Sequence, residues 1–589
     1  MPPPDTESRP AERRLFSEQL MMEMAQLLIR DQRLTRPKME ELNARRALTG
    51  GSFDRLLVKE GILPESEVLA TLARVSGFPF RPVGEVKIQP EAVIRVPARV
   101  ALRYQIMPLT ITGGTITLAT SEVPTLAVAD SLRMLLNLAV DWVLCTRDDI
   151  TKSIKHFYGL GADTIDTLVE ASGPAELEVS GTDVSDTSAD AGIVKFVNQI
   201  LAEAIDMGAT DVHIEPFENA LRVRYRIDGL LQVIPVPPSV ARLSKSIASC
   251  IKIMAELNIA EKRKPHDGRI KIRNGNDEFD LRVSILPTPF GETTDLRILN
   301  RKTMFIDLEH LGLASTQMMP IRYLSSLPHG VILLTGPTGS GKTTTLYALL
   351  NSISTEEVKI ITVEDPIEYQ MTGISQIQVN APIGLTFASI LRSILRHNPD
   401  IILVGEIRDM ETADIAVRSS LTGHLVFSTL HTNDAPSAIT RLADMEVEPY
   451  LIASCLEGVI AQRLVRKICA SCREPVTVDE TILAEMAEAH PDRKQDVPFL
   501  KGRGCPHCNF TGYRGRMALF EIMVMNDQLR DMVVHKRPSN EIRHQAIADG
   551  LITLRKDGWS RVLDGITTVE EVIRVARKVE LPPSKAPLP

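Results

Sequence analysis

The chain has 589 residues and a formal net charge of −8, with 67 lysines and arginines against 75 aspartates and glutamates. That length exceeds what one hydrophobic core organises and predicts several domains, while the acidic balance offers no global attraction to nucleic acid. No apolar run approaches the roughly 18 residues that span a bilayer, the opening Met1-Pro2-Pro3-Pro4-Asp5 lacks a signal-peptide hydrophobic region, and four of the seven cysteines form two C-x-x-C pairs, so the expectation is a cytoplasmic protein in a reduced compartment.

In chain order, residues 1–14 are proline-rich and charged and read as a flexible arm. Residues 15–160 read as an N-terminal α/β docking domain. It begins with a weak repeat at an offset of 29, in which Leu27-Leu28-Ile29-Arg30-Asp31-Gln32-Arg33-Leu34 answers Leu56-Leu57-Val58-Lys59-Glu60-Gly61-Ile62-Leu63. Each copy runs into a helical pattern, which predicts a pair of small helical units. Thr115 to Ala119 reads as a strand, and nothing in this domain reads as chemistry.

Residues 161–190 are rich in Gly, Ser, Thr, Asp and Glu and read as a linker. Residues 191–305 then read as a small α/β domain. Gly192 to Met207 is an amphipathic helix pattern and Asp211 to Glu215 a strand. In Leu221 to Ile227, Arg222, Arg224 and Arg226 alternate with apolar residues, so three guanidiniums share one strand face. A solvated sheet face and a binding surface explain that stripe equally well. Asp228-Gly229 predicts a hairpin turn, Asp267 to Ile270 a turn entering a strand, and Asp280 to Ser284 and Asp295 to Leu299 two more strands, each with an arginine near its start.

The stretch Val331 to Thr345 carries the chemistry. Four apolar residues predict a buried strand, and Gly336-Pro337-Thr338-Gly339-Ser340-Gly341-Lys342-Thr343 fits the phosphate-loop pattern, with Thr344 opening a helix. Glycines let backbone N–H groups approach phosphate oxygens, and the helix presents the positive end of its dipole. Lys342 is expected to hold the β and γ phosphates of ATP and Thr343 to ligate Mg²⁺. A second strand, Lys359 to Val363, ends in Glu364-Asp365-Pro366-Ile367-Glu368, and a third, Ile401 to Val404, ends in Gly405-Glu406-Ile407-Arg408-Asp409. Acids at strand ends beside a phosphate loop suit the Mg²⁺ shell, here Glu406 acting through water, and activation of the attacking water. A fourth strand, Leu425 to Leu430, has His424 before it and His431 after it, at opposite ends, which speaks against a zinc pair; each reads as a structural histidine or a γ-phosphate sensor.

Residues 466–517 hold Cys469-Ala470-Ser471-Cys472 and, 32 residues later, Cys505-Pro506-His507-Cys508. Four thiolates make a closed tetrahedral site, which predicts structural Zn²⁺ on Cys469, Cys472, Cys505 and Cys508. Ala518 to Ile522 reads as a strand, followed by helices over about 527–578 and a proline-rich tail from 581.

This ordered set of motifs, from the phosphate loop through Glu364–Glu368 and Gly405–Asp409 to Thr422-Gly423-His424-Leu425 and His431, resembles the secretion ATPase superfamily. Within it the chain is most similar to assembly ATPases of type II secretion and type IV pilus biogenesis, over about residues 190–575. The resemblance implies a RecA-like P-loop NTPase core at 306–465, preceded by the small α/β domain and followed by the four-cysteine zinc subdomain and a C-terminal strand and helices at 518–580. It implies Glu368 as water-activating base, Glu406 as Walker B acid, a histidine box at His424 and His431, and Arg282 and Arg297 reaching the nucleotide when the domains close. Arg392, Arg396 and Arg408 are candidate intersubunit residues. One departure is His266, where the family pattern leads to an expectation of Gln.

The resemblance further implies a homohexamer that sits peripherally on the inner membrane, an inner-membrane platform protein and a membrane-anchored docking protein as partners, and an N-terminal module that binds cyclic di-GMP in some relatives. The cysteine module argues for assembly over retraction, with type II secretion favoured over type IV pilus extension. Two rivals differ in their tests: a nucleic-acid transfer motor requires stimulation by DNA with a steep salt dependence, and a non-hydrolysing scaffold requires that Glu368→Gln and Lys342→Ala leave phosphate release unchanged.

Overall fold

The computed structural model describes residues 15–49, 52–82, 88–159, 188–275, 277–300, 307–491 and 498–577. The expected arm, most of the expected linker and the tail lie outside the described residues. The chain divides into two compact units, one drawn from Met1–Asn274, Asp280–Leu299 and Arg503–Gly512, the other from Gly275–Phe279, Asn300–Gly502 and Tyr513–Pro589.

The first unit opens with helices α1 (Glu18–Arg30), α2 (Arg36–Thr49), α3 (Phe53–Lys59) and α4 (Glu65–Ser76). The 29-residue repeat is a structural repeat. Leu28 and Leu57 are buried at matching positions, as are Leu34 and Leu63. Leu34 N donates to Leu28 O at 3.2 Å and Leu63 N to Leu57 O at 3.3 Å. The turn residue between them is left-handed in both copies, Gln32 at φ 59° and Gly61 at φ 65°. Next come α5 (Pro90–Arg95), α6 (Ala98–Tyr104), β1 (Ile106–Thr112), β2 (Thr115–Thr120), α7 (Leu126–Leu136), β3 (Ala139–Leu144) and α8 (Arg147–Tyr158). The sheet runs β1-β2-β3, antiparallel then parallel. Its Leu118 and Trp142 share one core with Leu20, Met24 and Leu72 of the helical pairs.

The same unit continues with α9 (Ser188–Asp206), β4 (Ala209–Pro216), β5 (Leu221–Ile227), β6 (Leu230–Ile234), α10 (Ser244–Met254), β7 (His266–Asn274), β8 (Asp277–Thr288) and β9 (Gly291–Asn300), in a sheet of order β6-β5-β4-β9-β8-β7. Strand alternation buries Val223 and Tyr225 on one face of β5, and the Tyr225 hydroxyl donates to Ile200 O at 2.7 Å. The arginine stripe on the other face is ion-paired along the sheet: Arg222 and Arg224 with Glu215, Arg226 with Asp211. The expected turn at Asp267 is already strand, because β7 starts at His266. There Gly268 lets the strand run close to the C-terminal end of α10, since a Cβ would sit 3.1 Å from Ala255 O.

The second unit contains α11 (Ser315–Ser325), β10 (Gly330–Thr335), α12 (Lys342–Ile353), β11 (Ile360–Glu364), β12 (Ser375–Gln378), α13 (Phe387–Ile394), β13 (Ile401–Val404), α14 (Met410–Leu421), β14 (Leu425–Leu430), α15 (Pro436–Asp444), α16 (Pro449–Cys455), β15 (Leu456–Ile468), β16 (Arg473–Val476), α17 (Glu480–Ala489), β17 (Phe499–Gly502), β18 (Tyr513–Val524), α18 (Asp527–Val534), α19 (Ser539–Ala548), α20 (Leu554–Leu563) and α21 (Val569–Val575). Seven strands form a sheet of order β12-β11-β13-β14-β10-β15-β18, parallel as far as β15 and closed by antiparallel β18. The largely apolar central strands are buried on both faces, as parallel strands covered by helices must be. The strand expected over Ala518 to Ile522 is longer, and its ladder with β15 runs from Gly458 opposite Val524 to Ile468 opposite Tyr513. The C-terminal strand is thereby part of the central sheet.

Candidate functional site

Strands β11, β13, β14 and β10 are consecutive parallel neighbours, so the loops leaving their C-terminal ends share one sheet edge. Those loops carry Glu364–Glu368, Gly405-Glu406, His431 and the phosphate-loop segment. This is the edge at which open parallel sheets bind ligands.

After β10 the backbone turns at Gly336, whose φ is 151°, and a Cβ there would meet Gln462 O and Ser340 Oγ at 2.6 Å each. Gly339 and Gly341 are left-handed, at φ 77° and 87°. Helix α12 then starts at Lys342 with no side chain capping it. Pro337, Thr338, Gly339 and Thr343 are exposed, Thr344 is half-buried, and the hydroxyls of Ser340 and Thr345 are buried without a hydrogen-bond partner among the described residues. The Lys342 ammonium donates to Gly336 O at 2.7 Å and Pro337 O at 3.2 Å. Burial pushes its pKa down to about 8; the Glu406 carboxylate opposes that shift and the Arg463 guanidinium adds to it.

Glu406 stands between Arg408 and His431, paired with Arg408 on one oxygen and 3.6 Å from His431 Nε2 on the other. Its side chain is only 14% exposed, which strengthens both interactions relative to water. The acids after β11 separate. Glu364 ends the strand facing inward, buried, and accepts from the Tyr347 hydroxyl, from Thr362 Oγ1 at 2.6 Å and from Gln376 Nε2 at 3.2 Å. Asp365 is exposed and Glu368 half-buried in the loop beyond. Three hydrogen bonds make Glu364 a fixed part of the interior, leaving the two later acids at the edge.

The two histidines are separated by the length of β14. His431 is at the phosphate-loop edge, whereas His424 is at the opposite end, its Nδ1 2.8 Å from Ser419 O and 3.2 Å from Thr422 Oγ1. Within one chain His424 therefore holds the end of α14 and does not share the site with His431. Arg392 pairs with Glu411, and Arg396 lies in a 3₁₀ turn beyond α13 and donates to Arg392 O at 2.9 Å. In the first unit, Arg282 and Arg297 line one cavity of about 440 Å³ with Asp267, Arg269 and Asp295. Arg297 Nε donates to Asp211 Oδ1 at 3.0 Å. Burial raises the Asp295 carboxyl, against the attraction of His213. His266, where Gln was the expectation, has a buried Nδ1 without a hydrogen-bond partner among the described residues.

Sequence reasoning missed Arg463, which lies beneath the phosphate loop. It is 7% exposed, donates to Gln462 O at 2.9 Å and Asn433 O at 2.6 Å, and approaches a Cβ position at Gly336 to 3.0 Å. The available signal was a charge inside the mostly apolar stretch Val459 to Val465, a placement that a buried strand tolerates only with partners.

Cys469, Cys472, Cys505 and Cys508 are buried, and their Sγ atoms all lie within 4.8 Å of one another. Cys505 and Cys508 Sγ are 3.7 Å apart, close to the roughly 3.8 Å edge of a tetrahedron with 2.3 Å metal–sulfur bonds. The backbone N–H groups of Cys505 and Gly512 each point at Cys508 Sγ from 3.2 Å. Such donors stabilise a thiolate, so the four residues fit a tetrahedral metal ion.

A family model described as Type II/IV secretion system protein matches residues 186–574, and one described as MshEN domain matches residues 76–164. The chain is 38% identical over 557 residues to the type IV pilus assembly ATPase PilB of Myxococcus xanthus, covering 93% of this chain and 98% of that protein. It is 41% identical over 539 residues to the type II secretion system protein E of Xanthomonas campestris pv. campestris, covering 90% and 94%. With the type II secretion system protein E of Pseudomonas aeruginosa it shares 48% identity over 396 residues, covering 67% and 78%.

Proposed function

Because the chain belongs to the Type II/IV secretion system protein family, we propose that its ATPase activity powers the assembly of a pseudopilus or pilus through an inner-membrane platform, with type II secretion favoured. Type IV pilus extension is the alternative, supported by the similarity to PilB; the identities of 41% and 48% to type II secretion proteins support the first. The single observation that carries the reading is the meeting, at one sheet edge, of the phosphate loop, Glu406 and His431.

In this reading residues 336–344 cradle the triphosphate of ATP. Lys342 exchanges its two loop carbonyls for β- and γ-phosphate oxygens. Thr343 would hold Mg²⁺ directly and Glu406 through water, and the chemistry such an ion would supply there is neutralisation of phosphate charge. Glu368 orients and deprotonates the attacking water, and His431, beside Glu406, senses the γ-phosphate. Arg282 and Arg297 are the guanidiniums assigned to the γ-phosphate, a contribution worth about 10³ to 10⁵ in rate where it has been measured. Zn²⁺ on the four cysteines is structural, since four protein ligands leave no open position.

The working form is a homohexamer lying against the inner membrane, carried there by partners; no helix among the described residues is long and apolar enough to cross a bilayer. The matched MshEN domain and the duplicated helix–turn–helix units support cyclic di-GMP as its N-terminal ligand. The test of the core reading is phosphate release by the purified, zinc-replete chain with Mg²⁺ and ATP, abolished by Lys342→Ala and by Glu368→Gln. Unchanged release in both variants makes the chain a nucleotide-dependent scaffold. Co-purification of the membrane partner, whether a type II secretion platform or a pilus platform, separates the two systems.

A further inference from the structure

Five consecutive residues after β14 are each held by a different element. His431 Nε2 faces Glu406 at 3.6 Å. Thr432 N donates to Thr335 Oγ1 at 2.9 Å, at the foot of the phosphate loop. Asn433 O accepts from Arg463 on β15 at 2.6 Å. Asp434 pairs with Arg543 on α19, and Ala435 N donates to Glu521 Oε1 on β18 at 2.9 Å. The path from His431 to α15 is thus held residue by residue.

Beneath the segment lies a cluster of four charged groups. Glu521 is buried, and burial raises its carboxyl while Arg543 opposes that shift and Asp434 adds to it. Arg463 is also buried, within reach of the fields of Glu521 and Asp434. Both partners of the Asp434–Arg543 pair are about four-fifths buried, with side-chain exposures of 21% and 23%. A pair this far out of water is held much more firmly than a surface ion pair. Asp434 is fixed a second time, its Oδ1 accepting from Ser437 N at 2.9 Å.

We propose that Arg543, far along the chain from every nucleotide motif, is a positioning residue for hydrolysis. Through Asp434 it fixes the 431–435 segment and thereby sets His431 against Glu406. Helix α19, by this route, is mechanically linked to the nucleotide edge. The proposal rests on the assignment of His431 to the γ-phosphate end of the site. It predicts a rate effect more than a binding effect, because the loop that grips the β-phosphate is built by other residues.

The experiment compares the full-length chain with Arg543→Ala, Arg543→Lys and His431→Ala, measuring steady-state ATP hydrolysis, KM for ATP and the thermal unfolding midpoint. Misplacing a reacting group by about 1 Å can cost on the order of 10²-fold in rate, so Arg543→Ala is expected to lower kcat by about tenfold or more. KM should stay within about threefold even though loss of one partner of a largely buried pair lowers the midpoint, with Arg543→Lys recovering much of both the rate and the midpoint. Wild-type kcat in Arg543→Ala, alongside a slowed His431→Ala, overturns the linkage. A joint loss of KM and midpoint that Arg543→Lys does not reverse also overturns it, by reducing the pair to a structural contact. A normal rate in His431→Ala would instead remove the assignment on which the proposal rests.

Discussion

A methyl group at position 336 would stand 2.6 Å from both a backbone carbonyl and a serine hydroxyl, on a residue whose φ is 151°. Forcing such a site costs roughly 1–3 kcal/mol, so Gly336→Ala is expected to weaken ATP binding about tenfold, measured by titration with a fluorescent ATP analogue. Lys342 supplies a second test. Its free-state pKa of about 8 is set mainly by burial, and a bound triphosphate raises it. Binding should therefore take up a proton above pH 8 and weaken progressively as pH rises past that value; calorimetry in buffers of different ionisation enthalpy would show it. In the same window the unfolded chain binds the extra proton, so this group alone makes stability rise with pH. The phosphate-loop residues and Glu406 were legible because each is one residue type at a fixed spacing. Glu364 was not. An acid at a strand end looks the same in sequence whether its side chain turns toward solvent or toward Tyr347.

The duplicated helical unit can be tested at the level of the element. Gln32 occupies the left-handed turn that Gly61 occupies in the second copy. The left-handed penalty for a side chain, about 1–2 kcal/mol, exceeds the extra entropy that glycine loses, about 0.5–1 kcal/mol. Gln32→Gly should stabilise the first unit by about 0.5 kcal/mol and slow amide exchange at Leu34, whereas Gly61→Gln should do the reverse at Leu63. Helix α21 docks on β15 through Glu571, whose carboxylate accepts from Arg466 N and Nη2 at 2.9 Å each and from Arg574 Nη2 at 2.7 Å. Burial raises its pKa, but the arginines prevail and hold it down to about 2. That stability is present above the ordinary glutamate pKa near 4.5 and is lost as pH falls through 2. Removing one partner of a buried pair costs about 3–5 kcal/mol, so Glu571→Gln should free α21, seen as a lower denaturation midpoint at neutral pH.

For the whole molecule, the metal content of the cysteine cluster and the proposed ring are the quantities to test. Metal analysis of the purified chain should find zinc bound to the four thiols. Cys469→Ser with Cys472→Ser should lose it, along with folding free energy on the order of 10 kcal/mol in that module. If hydrolysis is shared between subunits, mixing Lys342→Ala chains into a wild-type preparation will depress activity more steeply than dilution alone.

Local spacing and periodicity were enough to mark the glycine turn after β10, the four central strands, the cysteine pairs and the 29-residue repeat, because a buried strand, a glycine turn or a close cysteine pair needs certain residues within a few positions. Tertiary structure decided what long-range pairing alone can decide. It placed β18 against β15, set Arg463 beneath Gly336, separated His424 from His431 and joined Arg543 to Asp434. Those contacts link residues far apart along the chain, and no local pattern encodes which distant charge or strand will fill a given gap in the core.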